Sequence, residues 1–246
     1  MLRQHKNIGL IWDLDNTLYD WMGYFVSSFY SMITKATEVL NCDQEKLLED
    51  FKKVHQQHHD VEYPFALLET QTVLSLYPQA TKQQLYEQLA PIFAEHKLAR
   101  EKNLRLHPQV YETLEAIRNK NIKLIAHTEA NLFSVTNRLE RLNLTHFFEK
   151  IYCRERAKEP HPNGSPKSKK YFSFPYEKVT ELSHHQRKPD ITVLLEIISA
   201  AAIAPENVAY VGDSMARDIL MAKKANVYAI LAEYGSKRIR IYLMVW

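Results

Sequence analysis

Residues Ile8 to Tyr19 read Ile-Gly-Leu-Ile-Trp-Asp-Leu-Asp-Asn-Thr-Leu-Tyr, an apolar run that ends in two carboxylates, Asp13 and Asp15, and a hydroxyl, Thr17. The run predicts a β-strand, and its period of two puts Asp13 and Asp15 on one side at the strand's end. Carboxylates that close repel unless a cation or a proton lies between them. The cation suited to an all-oxygen site is Mg2+, which keeps several waters and takes one or two protein carboxylates plus substrate phosphate. A carboxylate is also a competent nucleophile, as in enzymes that pass through an aspartyl phosphate. Taken alone, Asp-x-Asp-x-Thr fits an acidic strand-to-loop turn equally well.

Three downstream pieces shift the balance. Lys123-Leu-Ile-Ala-His-Thr128 is a second apolar run ending in a hydroxyl; Arg187-Lys-Pro-Asp190 puts Lys188 just before a helical pattern. Val208-Ala-Tyr-Val-Gly-Asp-Ser-Met-Ala-Arg-Asp218 is a strand followed by Gly212, Asp213 and, in the first helical turns, Asp218. Each alone has an ordinary explanation: an N-cap or turn hydroxyl, a solvated lysine, an acid favoured by the helix dipole. Their joint order is informative, because open parallel sheets bind ligands in the crevice at the carboxyl ends of their strands.

In that order the residues resemble the four motifs of the haloacid dehalogenase superfamily, over most of residues 8–20, 106–152 and 187–235. The resemblance implies that Asp13 is the nucleophile and Asp15 the general acid/base. Thr128 and Lys188 bind the phosphoryl group, and Mg2+ is held by Asp13, Asp213 and the backbone carbonyl of Asp15, with Asp218 in support. It further implies a phosphatase that hydrolyses a small phosphomonoester (a nucleotide, sugar phosphate or similar metabolite) through an aspartyl phosphate. Dehalogenases of the superfamily lack an acid at the position of Asp15, so phosphoryl chemistry is expected over carbon–halogen chemistry. A phosphotransferase or mutase would use the same residues, and a catalytically silent interaction protein is the third alternative.

Composition sets outer bounds. The 246 residues can bury a sizeable core, and a net charge of +3 demands no nucleic-acid partner. Two cysteines, Cys42 and Cys153, suggest neither a disulfide framework nor a zinc site. The first strand follows the N-terminus too closely to leave room for a signal peptide, and no apolar run reaches a membrane-spanning length, so a cytoplasmic protein is expected. Oligomeric state is not legible.

Strand and helix patterns place these residues in an α/β fold, a doubly wound parallel sheet with an inserted helical domain. Strands are expected at 8–13, 122–127, 149–153, 207–211 and 227–231, and core helices at 108–119, 131–142, 190–202 and 214–225. Residues 1–20 and 106–246 then make a Rossmann-like core, and 21–105 a helical cap. Within the cap, a stripe at Phe25, Phe29, Met32, Ile33 and Ala36 predicts a helix over 21–40. Asp43 caps a second over 44–55, and Pro64 opens a third to Leu76. Thr81-x-x-Gln84 is a capping-box-like start for a fourth, which Pro91 should interrupt. Caps of that kind exclude water and choose the substrate.

Several features depart from the family pattern. Residues 154–187 form a polar insertion with eight basic and four acidic residues, and it includes the aromatic run Tyr171-Phe-Ser-Phe-Pro-Tyr176. Glu129 follows Thr128, placing a carboxylate near the phosphoryl pocket. Asn226 stands where relatives carry glycine, and asparagine tolerates the left-handed conformation needed there. Residues 236–246 end in an apolar Ile-Tyr-Leu-Met-Val-Trp. The histidines His55, His58 and His59 read as a hydrophilic helix end, and His107 as a residue near the site.

Overall fold

The computed structural model describes residues 7–155, 161–162 and 175–235. The tail 236–246 and most of the aromatic run at 171–176 therefore lie outside the described residues. The chain divides into two compact units: Met1–Met22 with Leu104–Arg156 and Lys169–Trp246, and Gly23–Asn103 with Ala157–Ser168. Among the described residues no helix is long and apolar enough to cross a membrane.

The first unit is built on a six-stranded parallel sheet of order β4-β3-β2-β1-β5-β6. Its strands are β1 (Gly9–Trp12), β2 (Lys123–Asn131), β3 (Lys150–Arg154), β4 (Val179–Leu182), β5 (Val208–Gly212) and β6 (Tyr228–Leu231). The central strands β1 and β5 are apolar because both sheet faces are covered, and alternate residues serve alternate faces. Trp12, Leu124, Ala126 and Val211 join one buried cluster with Leu132, Val135 and Leu139; Ile11, Ile125, Val208 and Tyr210 join the other with Leu194 and Ile197. The chain winds outward from β1 to β4, then returns to β5 on the other side of β1. That reversal makes the β1–β5 seam the switch point where such sheets open a crevice at their carboxyl ends.

β4 is an addition to the expected topology. It falls inside the polar insertion, pairing Ile151 with Val179 and Arg154 with Leu182. Val-Thr-Glu-Leu is short, and only Leu182 is buried, so an edge strand leaves little apolar signal. The core helices are α6 (Val110–Arg118), α7 (Leu132–Arg141), α8 (Ile191–Ala200) and α9 (Leu220–Lys224). α9 is preceded by a π-turn over Met215–Ile219, where the sequence pattern predicts a plain α-helix. Asn226 is left-handed at φ 56°, closing the C-terminal end of α9 as its residue type allows.

The second unit contains α1 (Trp21–Leu40, from Gly23 onward), α2 (Gln44–His58), α3 (Gln71–Leu76), α4 (Lys82–Gln88) and α5 (Ala90–Asn103). The Phe29, Met32, Ile33 and Ala36 stripe of α1 packs with Leu47, Phe51 and Val54 of α2 and Leu67, Leu68 and Val73 beyond it. Thr81 and Gln84 form the full capping box, and Pro91 sits in the first turn of α5, where its missing N–H removes no intrahelical bond. The helix expected from Pro64 is instead a 3-10 turn, Ala66–Glu69, followed by α3. Thr70 breaks it, because its hydroxyl accepts from Val73 N–H and makes Thr70 an N-cap. Buried Asp50 ties α2 to this start by accepting from Thr72 N–H at 2.7 Å and Thr72 Oγ1 at 2.8 Å. His58 stacks on Tyr63 and bonds Glu69 at 2.7 Å, a local network at the helix end.

In α5, burial holds His96 down at about 4, with Arg100 one turn on adding to the effect and Glu62 opposing it. Below its ordinary value the unfolded chain takes up a proton that the folded chain refuses, so this contribution to stability is lost as pH falls from about 6.5 toward 4. Urea unfolding should therefore show His96→Gln losing less stability than the unsubstituted protein between about pH 7 and pH 4.5. Equal losses would contradict the assignment.

Candidate active site

Asp13 is the first residue past β1, and its N–H donates to Val211 O of β5 at 2.8 Å, which pins it over the β1–β5 seam. Its side chain is buried, with 6% of the residue exposed. Thr17 Oγ1 donates to its Oδ2 at 2.8 Å, and Lys188 Nζ donates to its Oδ1. Asp213 stands at the equivalent place past β5, and Asp218 in the π-turn beyond it. One carboxylate oxygen from each of Asp13, Asp213 and Asp218 lies within 4.8 Å of the others. Lys188, which precedes the Asp190-capped start of α8, is also buried and lies 2.9 Å from Asp218 Oδ1. That contact is an ion pair without hydrogen-bond geometry, whereas Asp218 Oδ2 accepts from Ser214 N–H at 3.0 Å.

Among the described residues, three buried carboxylates thus face the Lys188 ammonium, with the Arg217 guanidinium acting on Asp213 as well. Burial pushes Asp13 up to about 7, against the lowering pull of Lys188 and with a further push from Asp218. Burial, then Asp218, raises Asp213 to about 6. The cluster is short of positive charge and offers only hard oxygen donors, which fits a divalent cation such as Mg2+.

Gly212 makes the arrangement sterically feasible. A Cβ there would stand 2.4 Å from Asp218 Cγ and 2.5 Å from its Oδ2. Gly212→Ala should displace the Asp218 carboxylate and lower kcat/KM by about 10²-fold, the scale of a small misplacement at a reacting centre. Steady-state kinetics beside a melting curve check this, and full activity would show that Asp218 need not lie there.

Asp15 is placed differently. Its carboxylate is directed to Tyr19 Oη at 2.7 Å and Arg138 Nη1 at 2.8 Å, not into the acidic cluster. Thr128 lies two residues past Ala126, the β2 partner of Trp12, and is buried, with its hydroxyl accepting from Ala130 N–H at 3.1 Å. Glu129 is held by Arg217 at 2.7 Å, so its charge is paired. His107 is buried against the loop after β1, with a ring nitrogen 3.1 Å from Asn16 O, and Tyr234 Oη donates to Thr17 O at 2.9 Å beside it. Behind Lys188, Tyr210 contacts buried His127 at 3.2 Å, and Lys188 Nζ lies 5.5 Å from the Tyr210 ring centre. Sequence reasoning does not find Arg138, Tyr19, Tyr210 or His127 at the site. Arg138 carries a usable signal, since it interrupts the apolar face Leu132, Val135, Leu139 of α7 with a charge.

The family profile described as haloacid dehalogenase-like hydrolase matches residues 9–226. The chain belongs to that family. It is a hydrolase with the family's α/β core. A curated relative, phosphoglycolate phosphatase of Agrobacterium fabrum (strain C58), is 28% identical over 227 residues, spanning 92% of this chain and 80% of its own. Among solved structures, 2-haloacid dehalogenase from Pseudomonas syringae pv. Tomato DC3000 is similar at TM-score 0.56 and 19% identity, over 91% of this chain and 86% of that one. A HAD phosphatase from Thermococcus onnurineus is similar at TM-score 0.55 and 16% identity, over 91% and 85%. At those identities the two structures establish the fold.

Proposed function

We propose that the chain is a Mg2+-dependent phosphatase that hydrolyses a small phosphomonoester, a nucleotide, sugar phosphate or similar metabolite, through an aspartyl phosphate on Asp13. The observation that carries this reading is the buried Asp13 carboxylate, held by Thr17 and Lys188 within reach of Asp213 and Asp218. The relative named phosphoglycolate phosphatase supports the phosphoryl assignment, as does the acid at Asp15, which dehalogenases of the resembled superfamily lack.

Asp13 and Asp213 would hold the Mg2+ with the Asp15 backbone carbonyl, as the family resemblance implies, and Asp218 would support them from beside the cluster. When bound there, the ion neutralises charge on the carboxylates and the phosphoryl oxygens. An Asp13 carboxylate oxygen forms the bond to phosphorus as the bond to the leaving oxygen breaks, and Asp15 gives that oxygen a proton. Asp15 then takes a proton from the water that attacks the acyl phosphate, which frees inorganic phosphate and restores Asp13. Lys188 and Thr128 stabilise the equatorial oxygens. The helical unit inserted between β1 and β2 serves as the cap that selects the substrate.

Phosphate release measured over nucleotides, sugar phosphates and phosphoglycolate with Mg2+ tests the proposal. Release from at least one class, abolished by a chelator, is expected. No release from any class overturns it, and transfer to a second hydroxyl without free phosphate would replace it with a phosphotransferase.

A further inference from the structure

Arg138 is the largest fully buried side chain among the described residues, with 0% exposure, and it sits two turns into α7. Taking a guanidinium out of water costs several kcal/mol, and a buried ion pair is often no more stable than an apolar substitute of equal volume. Packing gives no reason for a charge at this point on an apolar helix face. What Arg138 touches does: its Nη1 donates to Asp15 Oδ1 at 2.8 Å. Tyr19 Oη, also fully buried, donates to the same oxygen at 2.7 Å, and the Arg138 guanidinium lies 5.9 Å from the Tyr19 ring centre.

We propose that Arg138 and Tyr19 are positioning residues for Asp15, fixing its carboxylate in one rotation so that proton transfer to the leaving oxygen starts from a single geometry. This rests on the assignment of Asp15 as the proton carrier. Both donors converge on one oxygen, which defines the carboxylate's rotation in a way that one bond would not. Their pull on that oxygen also accounts for the carboxylate lying away from the acidic cluster. Both donors stand on secured backbone. α7 is capped by Asn131, which accepts from Ser134 N–H at 2.9 Å, and Tyr19 is bridged to Leu106 and Asp15. A group held by packed, hydrogen-bonded neighbours keeps the tolerance that proton transfer demands.

The consequence is selective. A poor leaving group needs the proton and a good one does not, so loosened positioning should penalise the first alone. The test compares kcat/KM for the alkyl phosphomonoester hydrolysed fastest among nucleotides, sugar phosphates and phosphoglycolate, whose alcohol leaves as an alkoxide, with p-nitrophenyl phosphate, which leaves as a stable phenolate. Tyr19→Phe removes only the hydroxyl and should lower the first by about tenfold and the second by less than about threefold, within the range of general acid catalysis. Arg138→Lys, which keeps charge but not the fork, should show the same selectivity, and Arg138→Met a larger one. Should the Arg138 variants fail to fold, Tyr19→Phe decides.

Asp15→Asn separates positioning from proton transfer. Strong leaving-group selectivity in Asp15→Asn with equal losses on both compounds in Tyr19→Phe overturns the positioning role and leaves the proton carrier standing. Absent selectivity in Asp15→Asn overturns the proton-carrier reading itself. Absence of phosphate release by the unsubstituted chain from every nucleotide, sugar phosphate and other phosphomonoester tried overturns the phosphatase reading and this proposal with it.

Discussion

Asp13→Asn is expected to reduce turnover by roughly four orders of magnitude or more while the protein stays folded. The amide cannot form the bond to phosphorus, and positioning by the remaining residues does not replace a nucleophile. The fold should survive for a reason visible in the site. Asn keeps the shape of Asp13 and can still meet Thr17 and Lys188, while Lys188 retains Asp218 as its anionic partner at 2.9 Å. Loss of one of three clustered carboxylates also relieves the repulsion from Asp218 that adds to burial in raising Asp13 to about 7. Phosphate release and thermal melting on the same sample check both halves. Activity above a few per cent would remove the covalent mechanism.

Lys188→Met is expected to be the substitution most harmful to stability in the core. Lys188 is 3% exposed in its side chain and is paired with Asp13 and Asp218 at once. Removing the cation leaves buried carboxylates uncompensated, which typically costs about 3–5 kcal/mol. A divalent cation binding only the folded state should restore part of that loss by mass action. Melting curves with and without Mg2+ should therefore show a larger metal-induced rise in Lys188→Met than in the unsubstituted protein. An unchanged melting temperature, or no response to Mg2+ in either protein, would contradict the charge balance described for this site.

The centre of the sheet is legible in the sequence because β1 and β5 are apolar on both faces. The run before Asp13 forms Gly9–Trp12, and the run before Asp213 forms Val208–Gly212, each placing its carboxylate at the strand end. Local capping chemistry is equally direct at Asp43 and Thr81, where the side chains meet the N–H groups of Lys46 and Gln84. Structure whose cause is not periodic escapes such reading. Val179–Leu182 is an edge strand with a single buried residue, and sequence alternation over four positions cannot mark it. The π-turn at Met215–Ile219 adds a residue to a helix without altering its composition, yet it sets where Asp218 lies. Thr70 divides one expected helix into two because a threonine's capping role depends on what its neighbours bury.

The site divides along the same line. Residues carried by short motifs, Asp13, Lys188, Asp213 and Asp218, are legible because each follows or precedes an element whose end the sequence marks. Their contacts are not, since Asp15 reaches Arg138 across 123 positions of chain and Lys188 reaches Asp13 across 175. Only the parallel pairing of β1 with β2 and β5 turns those separations into neighbours.

Trapping the phosphoryl group on Asp13 decides between covalent and direct hydrolysis. Asp15→Asn, given a brief pulse of p-nitrophenyl phosphate with Mg2+ and then quenched in acid, should carry a phosphoryl adduct on the peptide containing Asp13. The adduct is expected because a good leaving group departs without the acid, while hydrolysis of the acyl phosphate is slowed without the base. A protein that releases p-nitrophenol at an undiminished rate with no adduct on that peptide would contradict the covalent role of Asp13 and the proton-carrying role of Asp15 together.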